Sequence, residues 1–381
     1  MTSRQSLSVC ILSTADWDRP VWTNKQHVAR GLAVSNDVTY VNSTGLRWPR
    51  LSAGDLIRIV NRLRQRGSVQ FVYGIPNLKI TTPLTVPAST VRVLERMNEA
   101  ALHRSVSDWL AATKPKVLWT FTPMTRGLEK RADVVVYHAV DLLHQFPGVN
   151  ATTILRAERA LAERGVPAVA SSRGVEAHLR SQGFSTILYW PNVADVELIA
   201  ERAGKASRNG ATVVYAGNLI EAKVDVELLL AVAKSPEVGE LLIAGPIGEG
   251  GDATSRLSEL LKHPNVRMLG TLSPGELAEA MGTARVGLIP YRLTGYTDGI
   301  YPMKLDEYLA AGCLVVSTPI KSLIDEDLPG VTLSGKETFV QDVERAVRGY
   351  GAVSVRRPTR SWRTRVDEIQ ALLESRLQRL P

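Results

Sequence analysis

The chain has 381 residues, which is enough for two domains of ordinary size. Its apolar fraction of 44% and charged fraction of 22% are those of a globular protein and exclude a disordered or fibrous chain. The 46 basic and 38 acidic side chains give a net charge of +8, which favours anionic partners such as phosphorylated small molecules, anionic lipids or nucleic acids.

The first predicted element is a buried strand at 7–13. It lacks the small-residue cleavage site of a secretory signal, and the sequence contains no run of eighteen apolar residues, so neither a signal peptide nor a membrane-spanning helix is predicted. Cys10 and Cys313 lie in or beside predicted buried strands, and we expect them to be free core thiols. Such thiols indicate a reducing compartment, so the predicted location is the cytoplasm.

The first half of the chain alternates between short apolar runs and stretches of helical periodicity. Strands are predicted at 7–13, 37–42, 117–121, 133–140, 168–171 and 186–190, with an irregular extended region around 70–87. Helices are predicted at 23–34, 90–112, 152–164 and 173–182. Continuous Val, Ile and Leu strands between helices indicate a parallel sheet that is covered on both faces, and therefore a doubly wound α/β domain.

One segment of this half is unusually basic. It contains Trp48, several aliphatic residues, and six arginines: Arg47, Arg50, Arg58, Arg62, Arg64 and Arg66. Such a segment either lies at an anionic bilayer surface or forms a peripheral helix whose arginines are solvated. No recognisable nucleic-acid-binding module accompanies the charge, so a nucleic-acid partner is not predicted.

Pro191 and Asn192 interrupt the alternation, and a second cycle of strands and helices follows. Its strands are predicted at 212–218, 240–246, 266–270, 285–291 and 313–318. Its helices are predicted at 224–234, 253–262 and 275–283, and a final helix at about 361–379. Ser273, with Glu276 three residues later, is a helix-capping signature.

The most specific pattern is DGIYPMKLDEYLAAGCLVVST at 298–318. It predicts a helix from about Pro302 to Ala311, because proline suits the first helical turn. Gly312 suits the left-handed position that ends a helix, and the apolar run after it predicts a buried strand.

Lys304, Glu307 and Tyr308 are spaced so that all three are predicted on one face of this helix. A cation and a carboxylate at a helix start suit a phosphate together with a diol. The ammonium and free backbone N–H groups bind the phosphate, and the carboxylate accepts hydrogen bonds from sugar hydroxyls. An ordinary exposed Lys–Glu pair is the alternative interpretation.

The motif K-x-x-E-Y-x-A-x-G, followed by VV and ST, resembles the nucleotide-sugar motif of GT-B-fold glycosyltransferases. It is similar to the pattern of bacterial teichuronic-acid-type glycosyltransferases, which are family 4-like, and more distantly to that of the xanthan glucuronosyltransferase. The resemblance implies an α/β GT-B fold, in which two doubly wound Rossmann-like domains face a cleft. The implied parts are an acceptor-binding domain at 1–190, a linker at 191–210, a nucleotide-sugar-binding domain at 211–355, and a C-terminal helix at 356–381 that crosses back to the first domain.

The resemblance assigns donor binding to nine residues of the second domain. They are Lys304, Glu307, Tyr308, Gly217, Lys223, Gly245, Tyr291, Arg292 and Met303. Two positions depart from the retaining family 4 pattern. Gly299, beside Asp298, stands where those enzymes carry a second glutamate, and Asn218 stands where they carry an arginine.

Asp141 and His138 are the predicted catalytic residues, because VVVYHAVDLL places both at the carboxyl end of a strand. Asp141 falls on the aspartate of the teichuronic-type pattern V-Y-x-x-x-D, and an inverting enzyme needs a base for the acceptor hydroxyl. His138 resembles a strand-end histidine that contacts the donor sugar in retaining enzymes. The alternatives are a helix cap for the aspartate and a buried structural role for the histidine.

The loop TADWDRPVWTNKQH at 14–27 resembles the opening D-W-x-x-P-x-W-x-x-x-Q-H of the teichuronic-type group. The resemblance implies that its aromatic and polar side chains bind the acceptor. These candidates are Asp16, Trp17, Trp22, Gln26 and His27. The alternative is a packed aromatic loop before the next helix.

The implied function is a cytoplasmic glycosyltransferase that moves a hexosyl or glucuronosyl group from a nucleoside diphosphate sugar, with UDP expected, to an envelope glycan or lipid-linked saccharide. The nucleotide sugar is a co-substrate, and neither a metal ion nor another cofactor is expected. Peripheral attachment to the inner face of the plasma membrane through Arg47–Arg66 stays open. The rival functions are a nucleotide-sugar epimerase on the same fold and a non-catalytic, membrane-associated partner that binds a nucleotide sugar.

Overall fold

The computed structural model describes residues 6–18, 22–45, 70–85, 92–146, 148–208, 210–247, 255–324, 326, 328–350, 355 and 360–379. The chain divides into two compact units, Met1–Pro191 with Thr364–Pro381, and Asn192–Arg363. The basic segment Arg47–Arg66, with its predicted membrane contact, lies outside the described residues. Among the helices that are described, none combines the length and the apolar content that crossing a bilayer requires.

The first unit is built on a sheet with eight described strands in the spatial order β3-β4-β2-β1-β5-β6-β7-β8. The strands are β1 (Ser8–Leu12), β2 (Asp37–Val41), β3 (Gln70–Val72), β4 (Ile75–Thr81), β5 (Lys116–Thr120), β6 (Val134–Ala139), β7 (Ala168–Ala170) and β8 (Ile187–Tyr189). All neighbours are parallel except β3 and β4, which pair in antiparallel fashion at the edge. The predicted doubly wound sheet is therefore present, and buried apolar strands explain its continuous Val, Ile and Leu runs.

The helices of the first unit lie between these strands. They are α1 (Asn24–Leu32), α2 (Arg92–Ser105), α3 (Ser107–Leu110), α4 (Ala151–Glu163) and α5 (Arg173–Ser181), with 3₁₀ turns at Leu128–Lys130 and Leu143–Gln145. The single helix predicted at 90–112 is two helices, because Val106 leaves the helical conformation with φ −115° and ψ 24°. The break accompanies the burial of Trp109, whose Nε1 donates to the Ser8 carbonyl at 3.0 Å.

The second unit contains a parallel sheet with six described strands in the order β11-β10-β9-β12-β13-β14. The strands are β9 (Thr212–Ala216), β10 (Glu240–Ala244), β11 (Val266–Gly270), β12 (Val286–Ile289), β13 (Leu314–Ser317) and β14 (Val331–Leu333). The helices that begin in this unit are α6 (Val196–Ala203), α7 (Val226–Ala233), α8 (Ser255–Lys262), α9 (Pro274–Thr283), α10 (Gly295–Asp298), α11 (Met303–Ala311), α12 (Lys321–Ile324), α13 (Phe339–Arg348) and α14 (Trp362–Leu377). Buried side chains of the strands and of helices α6 to α9 and α11 to α13 form one apolar core.

Five elements of the second unit were not predicted from the sequence, among them the single-turn helices α10 and α12. Helix α6 occupies part of the predicted linker at 191–210, where Asp195 caps it by accepting from the Leu198 N–H at 3.4 Å. Strand β14 and helix α13 follow the last strand that the sequence predicted. The capping signature at Ser273 is present, since its hydroxyl accepts from the Glu276 N–H at 3.3 Å.

Helix α14 belongs mainly to the first unit, which includes the chain from Thr364 onward. Val366 lies so close to α1 that a Cβ on Gly31 would come within 2.2 Å of its Cγ2 atom. Gln370 accepts from the Asn36 amide at 2.9 Å, and both side chains are buried. The chain end is therefore an integral part of the first unit's core.

Candidate active site

The strand order of the second unit reverses at β9, which has β10 on one side and β12 on the other. Doubly wound sheets bind ligands at the carboxyl ends of strands beside such a reversal. Gly217 follows β9, Gly245 follows β10, and Tyr291 follows β12. The structure therefore places three of the predicted donor-binding residues at this edge.

The two glycines allow adjacent turns to pack backbone against backbone. Their φ angles are +146° for Gly217 and +133° for Gly245, which favours residues without a side chain. The Gly217 N–H donates to the Ala244 carbonyl at 2.8 Å, and a Cβ on Gly245 would lie 2.3 Å from the Gly217 oxygen. Glycine at position 245 is thus required for the two turns to pack this closely.

Helix α11 begins at the same edge, because it leads into the amino end of β13 in a parallel sheet. Lys304 and Glu307 form an ion pair on its first turns, and their side chains are only 17% and 14% exposed. The comparable pair Glu201 and Lys205 of this unit is 65% and 63% exposed. The pair on α11 is thus unlike an ordinary solvated one, and partial burial strengthens its electrostatic interactions.

The start of α11 is open to an anion. Pro302 precedes the helix and supplies no side-chain cap, and Met303, the first helical residue, is half-buried. The N–H groups of a first helical turn lack partners within the helix and attract negative charge. With Lys304 beside it, this helix start has a chemistry that suits phosphate oxygens.

Tyr308 does not share the exposed face with these two residues, and its predicted contact with the donor is wrong. The side chain is fully buried, and its hydroxyl accepts from the Ala216 N–H at 2.7 Å. The ring fills the space above Gly287 of β12, where a Cβ would lie 2.3 Å from the tyrosine Cγ. Burial raises the pKa of the Tyr308 hydroxyl well above its usual value, so it stays protonated. Tyr308 therefore fastens α11 to β9 and β12, which positions Lys304 and Glu307.

Lys223, Tyr291 and Arg292 form one cluster. Val224 and Tyr291 make an antiparallel bridge, and the Arg292 N–H donates to the Lys223 carbonyl at 2.8 Å. The Lys223 ammonium lies 5.0 Å from the centre of the buried Tyr291 ring, while Arg292 is exposed. The loop after β9 and the loop after β12 are thus joined, with two cations at their surface.

The segment after Arg292 folds into the single-turn helix α10. The Thr294 hydroxyl accepts from the Thr297 N–H at 3.3 Å, and the Thr297 hydroxyl donates to the Arg292 carbonyl at 2.5 Å. Asp298 is the last helical residue, and Gly299 follows with φ −83°. Asp298 lies beside Gly299, the position where retaining family 4 enzymes carry a second glutamate. It therefore belongs to a helix whose first turn is held by hydrogen bonds.

In the first unit, Asp141 follows β6 and its side chain is 33% exposed. The ammonium of Lys25 lies 4.0 Å from its Oδ2, and that lysine is 8% exposed. Lys25 also lies 5.7 Å from the centre of the Phe121 ring. Sequence reasoning missed Lys25, which occupies a variable position of the loop motif. Asp141 and Lys25 thus form a charged pair beyond the carboxyl end of β6.

His138 lies beneath Asp141 in the core, with 2% of its surface exposed. Its ring centre is 4.8 Å from that of Phe121 and 5.6 Å from that of Trp119. Burial, and then the charges of Arg365 and Lys25, hold the pKa of His138 well below its usual value, so the ring is neutral. The predicted catalytic contact of His138 does not fit this burial, and the structural alternative does.

Two aromatic acceptor candidates pack on each other. The rings of Trp17 and Trp22 are 5.0 Å apart, and Trp17, which is 7% exposed, also meets Tyr40 edge-on at 5.3 Å. Trp22 and His27 are half-buried, with ring centres 5.5 Å apart. Trp22 and His27 thus retain surface for a ligand, whereas Trp17 is mainly part of the core.

Gln26 is fully buried, so its predicted contact with an acceptor is wrong. Its Oε1 accepts from the Thr23 N–H at 3.0 Å, and its Nε2 donates to the Asp16 carbonyl at 3.0 Å. Asp16 is half-buried, and its Oδ1 accepts from the Ser43 N–H at 3.1 Å. Gln26 therefore fixes the loop to α1, as the alternative of a packed loop predicts.

Comparison with known proteins finds a family model that matches most of the second unit. Residues 210–348 match the family model described as "Glycosyl transferases group 1", which covers β9 through α13. A curated relative, the "Putative teichuronic acid biosynthesis glycosyltransferase TuaH" of Bacillus subtilis (strain 168), is 32% identical over 122 residues. That match covers 32% of this chain and 30% of the relative, so less than a third of the relative's length is spanned.

Solved structures resemble the whole chain. Sucrose-phosphate synthase from Thermosynechococcus elongatus superposes with a TM-score of 0.66 at 17% identity, covering 98% of each chain. HepE of Anabaena in complex with UDP gives 0.61 at 13% identity, covering 98% of this chain and 97% of the other. A UDP-forming trehalose-phosphate synthase from Burkholderia vietnamiensis gives 0.62 at 13% identity, covering 99% and 97%. The resemblance that the sequence predicted is confirmed, and the fold is the GT-B α/β fold.

Proposed function

We propose that this protein is a glycosyltransferase whose second unit binds a nucleoside diphosphate sugar. The observation that carries the proposal is the partly buried Lys304–Glu307 pair at the start of α11. It lies at the edge where the turns at Gly217 and Gly245 pack backbone against backbone. The family match over 210–348 includes all of these residues and supports the assignment.

The two charged residues would take different parts of the donor. Glu307 would accept hydrogen bonds from the ribose hydroxyls, since a carboxylate is an acceptor with several lone pairs. Lys304 and the first-turn N–H groups would bind the diphosphate and stabilise it as it leaves, with Lys223 as a second cation. In this proposal the lysines neutralise the leaving group, and no metal ion is required there.

The nucleotide we propose is UDP. The support comes from a similar fold, since structures of Anabaena HepE are described in complex with UDP and with UDP-glucose. The proposed acceptor is an envelope glycan or a lipid-linked saccharide, as the name of the teichuronic-acid relative suggests. Asp141 would remove the proton from the acceptor hydroxyl if the configuration is inverted. The buried free thiols Cys10 and Cys313 support the predicted cytoplasmic location.

Thermal unfolding with a panel of nucleotides tests donor binding. UDP, GDP, dTDP and ADP, each with its common sugars, are compared on wild type, Glu307→Ala and Glu201→Ala. Glu201 is the matched control, because it belongs to an exposed Lys–Glu pair on a helix of the same unit. We expect UDP ligands to stabilise wild type and Glu201→Ala but not Glu307→Ala. An absence of any shift at saturating concentrations would contradict the donor site.

A turnover assay then distinguishes glycosyl transfer from the two rival functions, an epimerase and a non-catalytic partner. With the stabilising UDP-sugar and a lipid-linked saccharide acceptor, a glycosyltransferase releases UDP in step with glycosylated product. Conversion of the sugar nucleotide without acceptor, followed by NMR, would identify an epimerase instead. Tight binding without turnover across acceptors would favour a non-catalytic partner.

A further inference from the structure

A second polar cluster lies in the first unit, on the face of β6 opposite His138. Tyr137 precedes His138, and successive side chains of a strand point to opposite faces of the sheet. The Tyr137 hydroxyl donates to Glu158 Oε1 of α4 at 2.9 Å. Glu158 is 1% exposed, which is unusual for a carboxylate unless it is paired or binds a metal.

Two histidines complete the cluster. His178 of α5 forms a hydrogen bond with the other oxygen of Glu158, 2.7 Å from Nε2 to Oε2. His144 of the 3₁₀ turn Leu143–Gln145 stacks on His178, with ring centres 4.4 Å apart and an angle of 24° between the rings. Its Nδ1 is buried and has no hydrogen-bond partner among the described residues.

The potential ligand atoms of these side chains converge. One nitrogen of each histidine and one oxygen of Glu158 all lie within 4.8 Å of one another. Ligands of a tetrahedral zinc ion are about 3.4 Å apart, given metal–ligand distances of about 2.1 Å. The His144 side chain is half-buried, and a rotation of its ring would shorten the ligand–ligand distances towards those of a zinc site.

We propose that His144, Glu158 and His178 bind a divalent transition-metal ion, for which Zn²⁺ is the natural probe. Two imidazoles and one carboxylate are a typical three-ligand set for zinc, with water in the fourth position. Mg²⁺ and Ca²⁺ require more oxygen ligands than this cluster offers. The Tyr137 hydroxyl would orient the bound carboxylate from outside the ligand shell, as outer partners of metal ligands do.

The position of the cluster suggests what the metal would do. The ligands come from α4, from α5 and from the turn that begins two residues after Asp141, so a bound ion would cross-link three elements that are separate in sequence. It would hold the segment after Asp141 in place, and it would be separate from the donor site in the second unit. Metal binding there needs neither donor nor acceptor, so its test does not depend on the proposed function.

Zinc content measures the site directly. Full-length protein is treated with a chelator, equilibrated with ZnCl₂, freed of unbound metal by gel filtration, and analysed by mass spectrometry of the metal. We expect wild type to retain a single zinc ion per chain, and His144→Ala and His178→Ala to lose it. Tyr137→Phe should weaken zinc binding by about 10–100-fold, as the loss of an outer partner does. Zinc should also raise the thermal unfolding midpoint of wild type but not of His178→Ala.

Two variants keep the test decisive. Glu158→Gln preserves the size of the side chain and an acceptor for Tyr137 but removes the anionic ligand, so it should fold like wild type and lose zinc. His263→Ala removes a histidine of the second unit that lies outside every proposed site, and it should keep zinc. The proposal is overturned if wild type retains no zinc, or if Glu158→Gln and both histidine variants retain as much as His263→Ala does.

Discussion

Each unit places a lysine beside a carboxylate near the carboxyl ends of its strands, and the two pairs differ in tightness. Lys304 and Glu307 are a direct ion pair within one helix, and both are less than a fifth exposed. Lys25 and Asp141 come from distant parts of the sequence, are 4.0 Å apart, and leave the aspartate 33% exposed. In the proposed reaction the closely paired residues of α11 bind the donor, and the more exposed Asp141 is the base.

The largest expected effect is that of Asp141→Asn. The carboxamide has nearly the same size but cannot accept the proton, so we expect the rate of transfer to fall by about 10²–10⁴-fold. UDP should still stabilise the variant, because Asp141 lies outside the donor-binding unit. Steady-state kinetics measure the transfer rate, and thermal unfolding measures the stabilisation by UDP.

Asp108→Asn changes an exposed aspartate of the same unit, so it is the control and should be as active as wild type. A similar rate in the two variants would remove Asp141 from the chemistry.

Lys304→Ala tests the tighter pair and should have the next largest effect. Losing a cation that stabilises the leaving diphosphate should cost on the order of 2–4 kcal/mol of transition-state stabilisation, measured as the change in kcat/KM. Lys205→Ala breaks an exposed pair in the same unit, and such pairs contribute little. If both variants turn over normally, the pair on α11 is a solvated surface pair after all.

The smallest effect concerns the pH dependence of stability, and it comes from His138, which lies beneath the looser pair. Burial and the charges of Arg365 and Lys25 lower its folded pKa, whereas an unfolded histidine titrates near about 6.5. Below about pH 6.5 the unfolded chain therefore binds a proton that the folded chain does not, and the free energy of unfolding falls as pH falls. The contribution is at most about 1.4 kcal/mol per pH unit.

Urea unfolding between pH 7.5 and 5 measures this effect. The free energy of unfolding should decline less steeply with falling pH for His138→Gln than for wild type and His263→Gln. Equal slopes in all three proteins would mean that His138 is protonated in the folded state.

Much of this fold follows from local sequence. Buried parallel strands need uninterrupted apolar residues, so runs such as 212–218 predict the ends of strands to within two residues. Strand β9 ends at Ala216, before the end of its predicted run, because Gly217 turns the chain. Helix α13 could also have been predicted, since its buried residues Phe339, Val343 and Val347 recur every four positions. Helix α6 carried a capping aspartate, but the preceding Pro–Asn favoured a linker. Both helices therefore have a signal in the local sequence.

The sites were less predictable, because their contacts join residues that are far apart in sequence. Spacing within one helix identified Lys304 and Glu307, but it could not show that Tyr308, one residue further, turns into the core. The pairing of Lys25 with Asp141 depends on how the start of α1 approaches the loop after β6, which no local pattern records. The cluster around Glu158 likewise joins three elements that are separate in sequence, and no local pattern indicates a metal ligand set.

The contact between Gly287 and Tyr308 has a consequence for how this protein can vary. Any side chain at position 287 collides with the tyrosine ring, and any smaller residue at 308 leaves the Ala216 N–H without its acceptor. A substitution at either position alone therefore lowers the stability of the fold. The effects of the two positions depend on each other, so single mutations are expected to leave both residues unchanged. The restriction arises in the core, yet it holds the partly buried Lys304–Glu307 pair of the same helix beside the strand ends. Variation among descendants of this sequence is therefore expected in the exposed loops around the edge, with the tyrosine and glycine inherited together.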